Sequence, residues 1–374
     1  MRLLVKFCSG FLLFFLISFS AKSQLKNQRI IEASYESGPL VSNGKEWADE
    51  VKDLVSYRGI DVRFGWRKVS SDYYAQLYRY PTYGLGFTMA IPYYSEIGRP
   101  QSIYAFGEFP FSRKRMERKF NFSYFGQIGL GFNLNPYDSL DNPLNQYIGS
   151  EVNAYVQLGL KANYQISKRI DLFSTLGLKH YSNGSTRKPN AGINLIPLSL
   201  GMRYRLEPAT LPKESEQAAL PPRLSKNFLD ISFSGGIKNY VIEEPSYFRG
   251  GMGLTYLRDG GVKYRYGVGL DVFYAGGLDR RFPDEVFELR DKFSLAVIAA
   301  WEWKLNERLY VPIAFGAYIH RNEINQESTW FYERIGIRYR FFDQLFGGFQ
   351  IKAHKVKADF FEFTVGYRFS ELHN

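Results

Sequence analysis

The stretch LKHYSNGSTRKPNAGINLIPL, residues 178–198, sets an imidazole (His180), a hydroxyl (Ser182) and an amide (Asn194) between two segments of alternating apolar residues. Imidazole and serine hydroxyl are the pair that performs nucleophilic acyl transfer: the ring takes the proton and the oxygen attacks a carbonyl carbon. The chemistry requires the side chains to share a surface, so the strands that carry them decide the matter. Residues 169–183 alternate. Ile170, Leu172, Ser174, Leu176, Leu178, His180 and Ser182 fall on one face, opposite Asp171, Phe173, Thr175, Gly177, Lys179 and Tyr181. His180 and Ser182, two residues apart, are neighbours on the more apolar face. The returning segment places Asn194, Ile196, Leu198, Leu200, Met202 and Tyr204 on its own apolar face. If residue 182 lies opposite 192, Asn194 lies directly across from His180. The same residues also suit a strand leaving a bilayer, where Ser-Asn-Gly is ordinary turn chemistry. The residues alone leave both readings open.

The composition says what kind of strands these are. Aromatic residues make up 17% of the chain, with 28 Tyr, 32 Phe and 34 Gly. Mean hydropathy is only −0.28. Beyond the N-terminus no apolar run is long enough for a membrane helix. Short alternating segments rich in aromatics and glycine are the pattern of an outer-membrane β-barrel, with one parity toward lipid and the other toward the lumen. Residues 152–164 show it over thirteen positions, from Val152 through Val156 and Leu160 to Tyr164 against Asn153, Gln157 and Lys161. The expected fold is all-β, a transmembrane antiparallel barrel.

The N-terminus reads as a cleaved leader: Arg2 and Lys6, then GFLLFFLISFSA, then small residues before a cut at Gln24. Residues 1–23 would leave with it, taking the single cysteine, Cys8, and lowering the formal charge from +11 to +8. That basic balance fits either phosphorylated or acidic surfaces, or scattered solvated charge. Export to the bacterial outer membrane follows as the expected location.

Eight candidate strands precede residue 207, near 28–36, 59–68, 83–93, 102–111, 119–133, 152–165, 170–182 and 194–206. With a periplasmic N-terminus, residues 166–169 form a short periplasmic turn and residues 134–151 a long extracellular loop. The connection at 70–82 is longer than such turns usually are. A Pro-rich, unpatterned linker at 207–227 is followed by about eight more candidate strands in 228–374. The halves end alike, LGLKH…LSLGMRYRL against FQIKAH…EFTVGYRF. About sixteen strands in all allow two tandem eight-stranded units, 24–206 and 228–374, or one larger barrel. The role of the second half is unassigned.

HYSNGSTRKPNAGIN (His180–Asn194) resembles the H-x-S-N-G…P-N-x-G segment of the outer-membrane lipid A 3-O-deacylases (PagL-like; acyloxyacyl hydrolases). YPTYGLGF (Tyr80–Phe87) and the segment Asn135–Asn153 are similar to that family in sequence and order. The resemblance covers roughly residues 28–206. It implies a carboxylic ester hydrolase that removes an acyl chain from lipid A of lipopolysaccharide at the outer leaflet. Ser182 would be the nucleophile and His180 its base. Asn190 and the backbone around Asn183–Gly184 would stabilise the oxyanion. Asn194 corresponds to the family's glutamate; an amide oxygen holds an imidazole but does not balance its positive charge, and an Asp-to-Asn change in a serine protease costs about 10⁴-fold. Arg187 and Lys188 are candidate contacts for lipid A phosphates. No metal, cofactor or nucleic acid is expected. The alternative is a transport or structural barrel carrying a relict deacylase site.

Overall fold

The computed structural model describes residues 27–69, 73–112, 118–208 and 226–370. The segment read as a leader, most of the 207–227 linker and His373 lie outside the described residues.

Two closed antiparallel barrels follow one another along the chain. The first comprises β1 (Asn27–Pro39), β2 (Ser56–Lys68), β3 (Thr82–Ala90), β4 (Gly98–Pro110), β5 (Phe120–Leu134), β6 (Asn153–Gln165), β7 (Ile170–Ser182), β8 (Ile193–Leu195) and β9 (Leu198–Arg205). Consecutive strands pair, and β9 returns to pair with β1, joining Ile30 to Arg205 through Ser37 to Leu198. β8 and β9 both pair with β7, so they act as one strand broken at Ile196–Pro197. Pro197 has no N–H to give to a ladder, which accounts for the break. The second barrel runs through β10 (Asn227–Lys238), β11 (Tyr247–Asp259), β12 (Tyr264–Ala275), β13 (Phe293–Lys304), β14 (Leu309–His320), β15 (Phe331–Arg340), β16 (Leu345–His354) and β17 (Lys357–Ser370), which pairs with β10. Of the two arrangements open to the sequence, two eight-stranded units is the one adopted.

Alternation sorts the side chains. On β7 and β9 the outward row includes Leu172, Leu176, Leu178, Leu200 and Met202, all exposed. On β17 Phe363, Val365 and Phe369 stand out in the same way. Apolar rows exposed on strand after strand far exceed what a soluble monomer shows, and they suit a hydrocarbon solvent.

The inward parity is charged and paired. In the first lumen Lys161 Nζ lies 2.7 and 2.8 Å from the two Glu32 oxygens and 3.2 Å from Glu108. Arg203 bridges the same two carboxylates, and Arg63 pairs with Asp61 at 2.6 Å. In the second, Arg368 reaches Asp230 at 2.7 and 2.6 Å and Glu302 at 2.6 Å. A cavity of about 30 Å³ in that lumen, lined partly by Asp230, Glu302 and Arg338, holds no more than a water or two.

One rim of the first barrel, where β7 ends, is roofed. Helix α1 (Glu46–Leu54) buries Ala48 and Val51 against Leu40, Tyr147, Ile148, Ile193 and Leu195. Trp47 meets Tyr147 edge-on at 4.8 Å. The loop between β5 and β6 thus lies over the barrel mouth rather than projecting freely. At the opposite rim the long 70–82 connection contains helix α2 (Tyr73–Leu77) and Tyr78, which touches the second barrel. Its length serves that contact.

Arg203→Leu leaves Glu32 and Glu108 short of a partner in a closed lumen. The expected loss is about 3–5 kcal/mol of stability, read as a lower temperature for loss of heat-modifiable gel mobility in detergent.

Candidate active site

β7 carries His180 and Ser182 to the roofed rim on the outward parity. Register sets their neighbours: His180 lies opposite Asn194 on β8 and Val156 on β6, and Ser182 lies opposite Ala154. Tyr181 between them points into the core and is fully buried. The outward row of β7 therefore changes from leucine to imidazole to hydroxyl as it reaches the rim.

His180 Nδ1 is 2.8 Å from Asn194 Oδ1. The amide oxygen accepts an N–H there, so the Nδ1-protonated tautomer is held and Nε2 is left with its lone pair, the form a general base requires. Gly192 fits against the ring; an added Cβ would stand 2.6 Å from His180 Cε1. Gly192 has φ +81°, a conformation that favours glycine. Its N–H donates to Tyr147 O at 2.8 Å, tying the imidazole's packing partner to the roof. Among the described residues no carboxylate pairs with His180. Glu151, just before β6 at the same rim, is exposed, and the ring's hydrogen bond goes to Asn194 instead.

Ser182 is only 6% exposed. Its Oγ receives the Gly184 N–H at 3.1 Å and lies 3.0 Å from Asn190 Nδ2 and 3.2 Å from Asn190 Oδ1. The Asn183 N–H donates to Asn190 Oδ1 at 3.1 Å, which turns the Asn190 amide so that Nδ2 faces the hydroxyl. Two donors, Gly184 N–H and Asn190 Nδ2, thus converge on Oγ, next to the place where a substrate's carbonyl oxygen would take up negative charge once Oγ bonds its carbon. Ser182 and His180 are not hydrogen-bonded to each other; such bonds are often loose without substrate.

The structure places the remaining sequence candidates differently from one another. The Asn183 side chain donates to Ser150 Oγ at 2.9 Å and Arg187 O at 2.8 Å, so both its hydrogens hold the loop rather than face a ligand. Arg187 is exposed at the loop tip. The Lys188 ammonium is pushed below its ordinary 10.5 by burial, then by the nearby Lys357 ammonium, with Asp359 opposing. His354 belongs to the second lumen, 3.1 Å from the Tyr318 hydroxyl. His320 bonds to Arg290 O.

Sequence reasoning missed Ser150 and the second barrel's Asn239 and Phe361, which close around this hairpin. Gly192 stood in the P-N-x-G segment, so its signal was present; nothing in the sequence marked Asn239 or Phe361.

Two closed antiparallel barrels with apolar rows exposed on strand after strand belong to the outer-membrane class. A family model described as lipid A 3-O-deacylase (PagL) matches residues 60–203, and one described as acyloxyacyl hydrolase, C-terminal domain, matches residues 227–371. Together they span most of the chain, which belongs to this family of lipid A deacylases of the outer membrane. No curated protein matches the chain. Among solved structures, Neisserial surface protein A is similar at 15% identity, covering 48% of this chain and 97% of its own, with a TM-score of 0.29. OccAB4 of Acinetobacter baumannii is similar at 9% identity, covering 94% of this chain and all of its own, with a TM-score of 0.23. The fold described above rests on this chain's own strand pairings.

Gly192→Ala puts a methyl against the His180 ring at a left-handed backbone position. It is expected to lose about 1–2 kcal/mol, measured as a lower unfolding temperature of the detergent-solubilised barrel.

Proposed function

We propose that this deacylase is a serine esterase whose site opens toward the outer leaflet, with Ser182 as nucleophile and His180 as base. The supporting observation is the convergence of Gly184 N–H and Asn190 Nδ2 on the oxygen of a serine of outward parity, two outward positions beyond the exposed Leu178. An acyl chain lying along that row brings its ester carbonyl to the height of Ser182 without leaving the hydrocarbon.

The mechanism requires a turn about the Ser182 side-chain torsion that brings its hydroxyl to His180 Nε2. Nε2 takes the proton as Oγ bonds to the carbonyl carbon, and the resulting oxyanion is received by Gly184 N–H and Asn190 Nδ2. Collapse breaks the bond to the sugar oxygen, which leaves with the proton from His180. Water then attacks the acyl-serine, its proton passing to Nε2; the fatty acid departs and the proton returns to Oγ. Asn194 orients the ring throughout but stays neutral, so the imidazolium is stabilised less than by a carboxylate. Lys188, beside Lys357, is the better-placed candidate for a headgroup phosphate; Arg187 is free to join it.

A second reading, a barrel with a relict site, is favoured only by that neutral Asn194. Transport through either lumen is disfavoured by the ion pairs that fill both.

Expression in a host with intact lipid A is expected to release one hydroxyacyl chain by mass spectrometry, and Ser182→Ala to abolish the release. An unchanged lipid spectrum with folded protein would support the relict instead. Asn194→Glu supplies the missing charge and is expected to raise kcat by about tenfold or more. Lys188→Gln should raise KM for phosphorylated lipid A and leave dephosphorylated lipid A unaffected. Because the Lys188 pKa is lowered, this phosphate-dependent part of KM should fade as pH rises, before an ordinary lysine would lose its proton.

A further inference from the structure

The hairpin tip that carries the oxyanion donors does not stand free; the second barrel grips it. Asn239, just beyond β10, accepts the Lys188 N–H on its Oδ1 at 2.9 Å and gives its own N–H to Ser185 O at 2.8 Å. Its Nδ2 donates to Glu244 O at 2.7 Å, which fixes the amide from behind. Ser185 Oγ donates to Ala358 O at 3.1 Å, on β17, and Ser246 Oγ donates to Thr186 O at 2.6 Å. Gly184, at φ +61°, lies flat on Phe361: a Cβ there would come within 2.2 Å of the ring. These contacts all fall between Gly184 and Lys188, immediately after Ser182.

At the opposite rim the barrels meet again. Trp303 Nε1 donates to the Tyr78 hydroxyl at 2.8 Å, the Tyr78 hydroxyl donates to Lys304 O, and Phe109 packs near Trp303. Contact at both ends sets the orientation of one barrel against the other and so presents Asn239 to the hairpin.

We propose that the C-terminal barrel is a clamp for the active-site hairpin, and that Asn239 is its principal positioning residue. This rests on the reading of Ser182 as nucleophile. A two-residue αL turn at Gly184–Ser185 (φ +61° and +63°) aims the Gly184 N–H at the serine oxygen. Left to itself, a hydrated loop of this length samples many conformers; bonded to Ser185, Thr186 and Lys188 from outside, it keeps the one in which the donor is aimed. Asn239 touches neither substrate nor Ser182 and acts through the Ser185–Lys188 backbone.

The test uses full-length protein folded in detergent, with heat-modifiable mobility equal to the parent, assayed on purified lipid A. Asn239→Ala is expected to lower kcat about ten- to a hundredfold with KM within about twofold of the parent, because misplacing a donor affects the transition state rather than lipid binding. Asn239→Asp keeps an acceptor for the Lys188 N–H and is expected to recover part of that loss. A parent-like kcat in Asn239→Ala, with Ser182→Ala inactive, overturns the clamp and leaves the serine reading intact. Activity surviving in Ser182→Ala overturns the serine reading and the clamp with it. Should Asn239→Ala not fold, Ser246→Ala removes only the bond to Thr186: a fall in kcat there supports the clamp, and a parent-like kcat overturns it.

Discussion

Hydrocarbon offers no hydrogen bonds, so every backbone N–H and C=O that crosses it must be paired within the protein. For a chain of strands the solution is closure, and the rest of this molecule depends on it. Closing eight strands sets a lumen wide enough for side chains alone. The inward parity then has to be mutually neutral, which Glu32, Glu108, Lys161 and Arg203 accomplish in the first barrel and Asp230, Glu302, Arg265 and Arg368 in the second. The outward parity has to be apolar. Polar chemistry can face outward only where a strand leaves the bilayer, and His180 and Ser182 end the outward row of β7 at the roofed rim.

Period-two patterning made much of this legible before any coordinates. β7 occupies the residues that alternation assigned to it, Ile170–Ser182, and the His180–Asn194 register follows from counting along two outward rows. The choice between one ring and two was not legible, because it depends on which distant strands pair: β9 with β1, and β17 with β10. The break at Ile196–Pro197, the roofing helix α1 and the docking of the 70–82 connection are tertiary outcomes with little local signal. Around the site, alternation pointed to His180, Ser182 and Asn194, and the family resemblance added Asn190 and the backbone around Asn183–Gly184; the Asn183 N–H bonds Asn190 Oδ1 while its side chain holds the loop. Asn239 and Phe361 come from a different barrel, more than fifty residues away, and no pattern in the hairpin could announce them.

The electrostatics of the site are spare. The imidazole is oriented by a neutral amide and packed by a glycine, and no carboxylate among the described residues pairs with it. In the proposed mechanism orientation is therefore supplied by hydrogen bonding and shape, and charge stabilisation is left to the backbone donor at Gly184 and the Asn190 amide. Such a site relies more on geometric precision than one with a buried acid, which makes the external grip on residues 184–188 the more consequential.

Dividing the strands into two rings also has a consequence for the membrane as an insulator. Sixteen strands in a single ring enclose a water-filled channel. The same strands as two rings enclose paired charged side chains, with a cavity of about 30 Å³ in the second lined in part by Asp230 and Arg338. The circumference becomes lipid-facing wall rather than the rim of a wide pore.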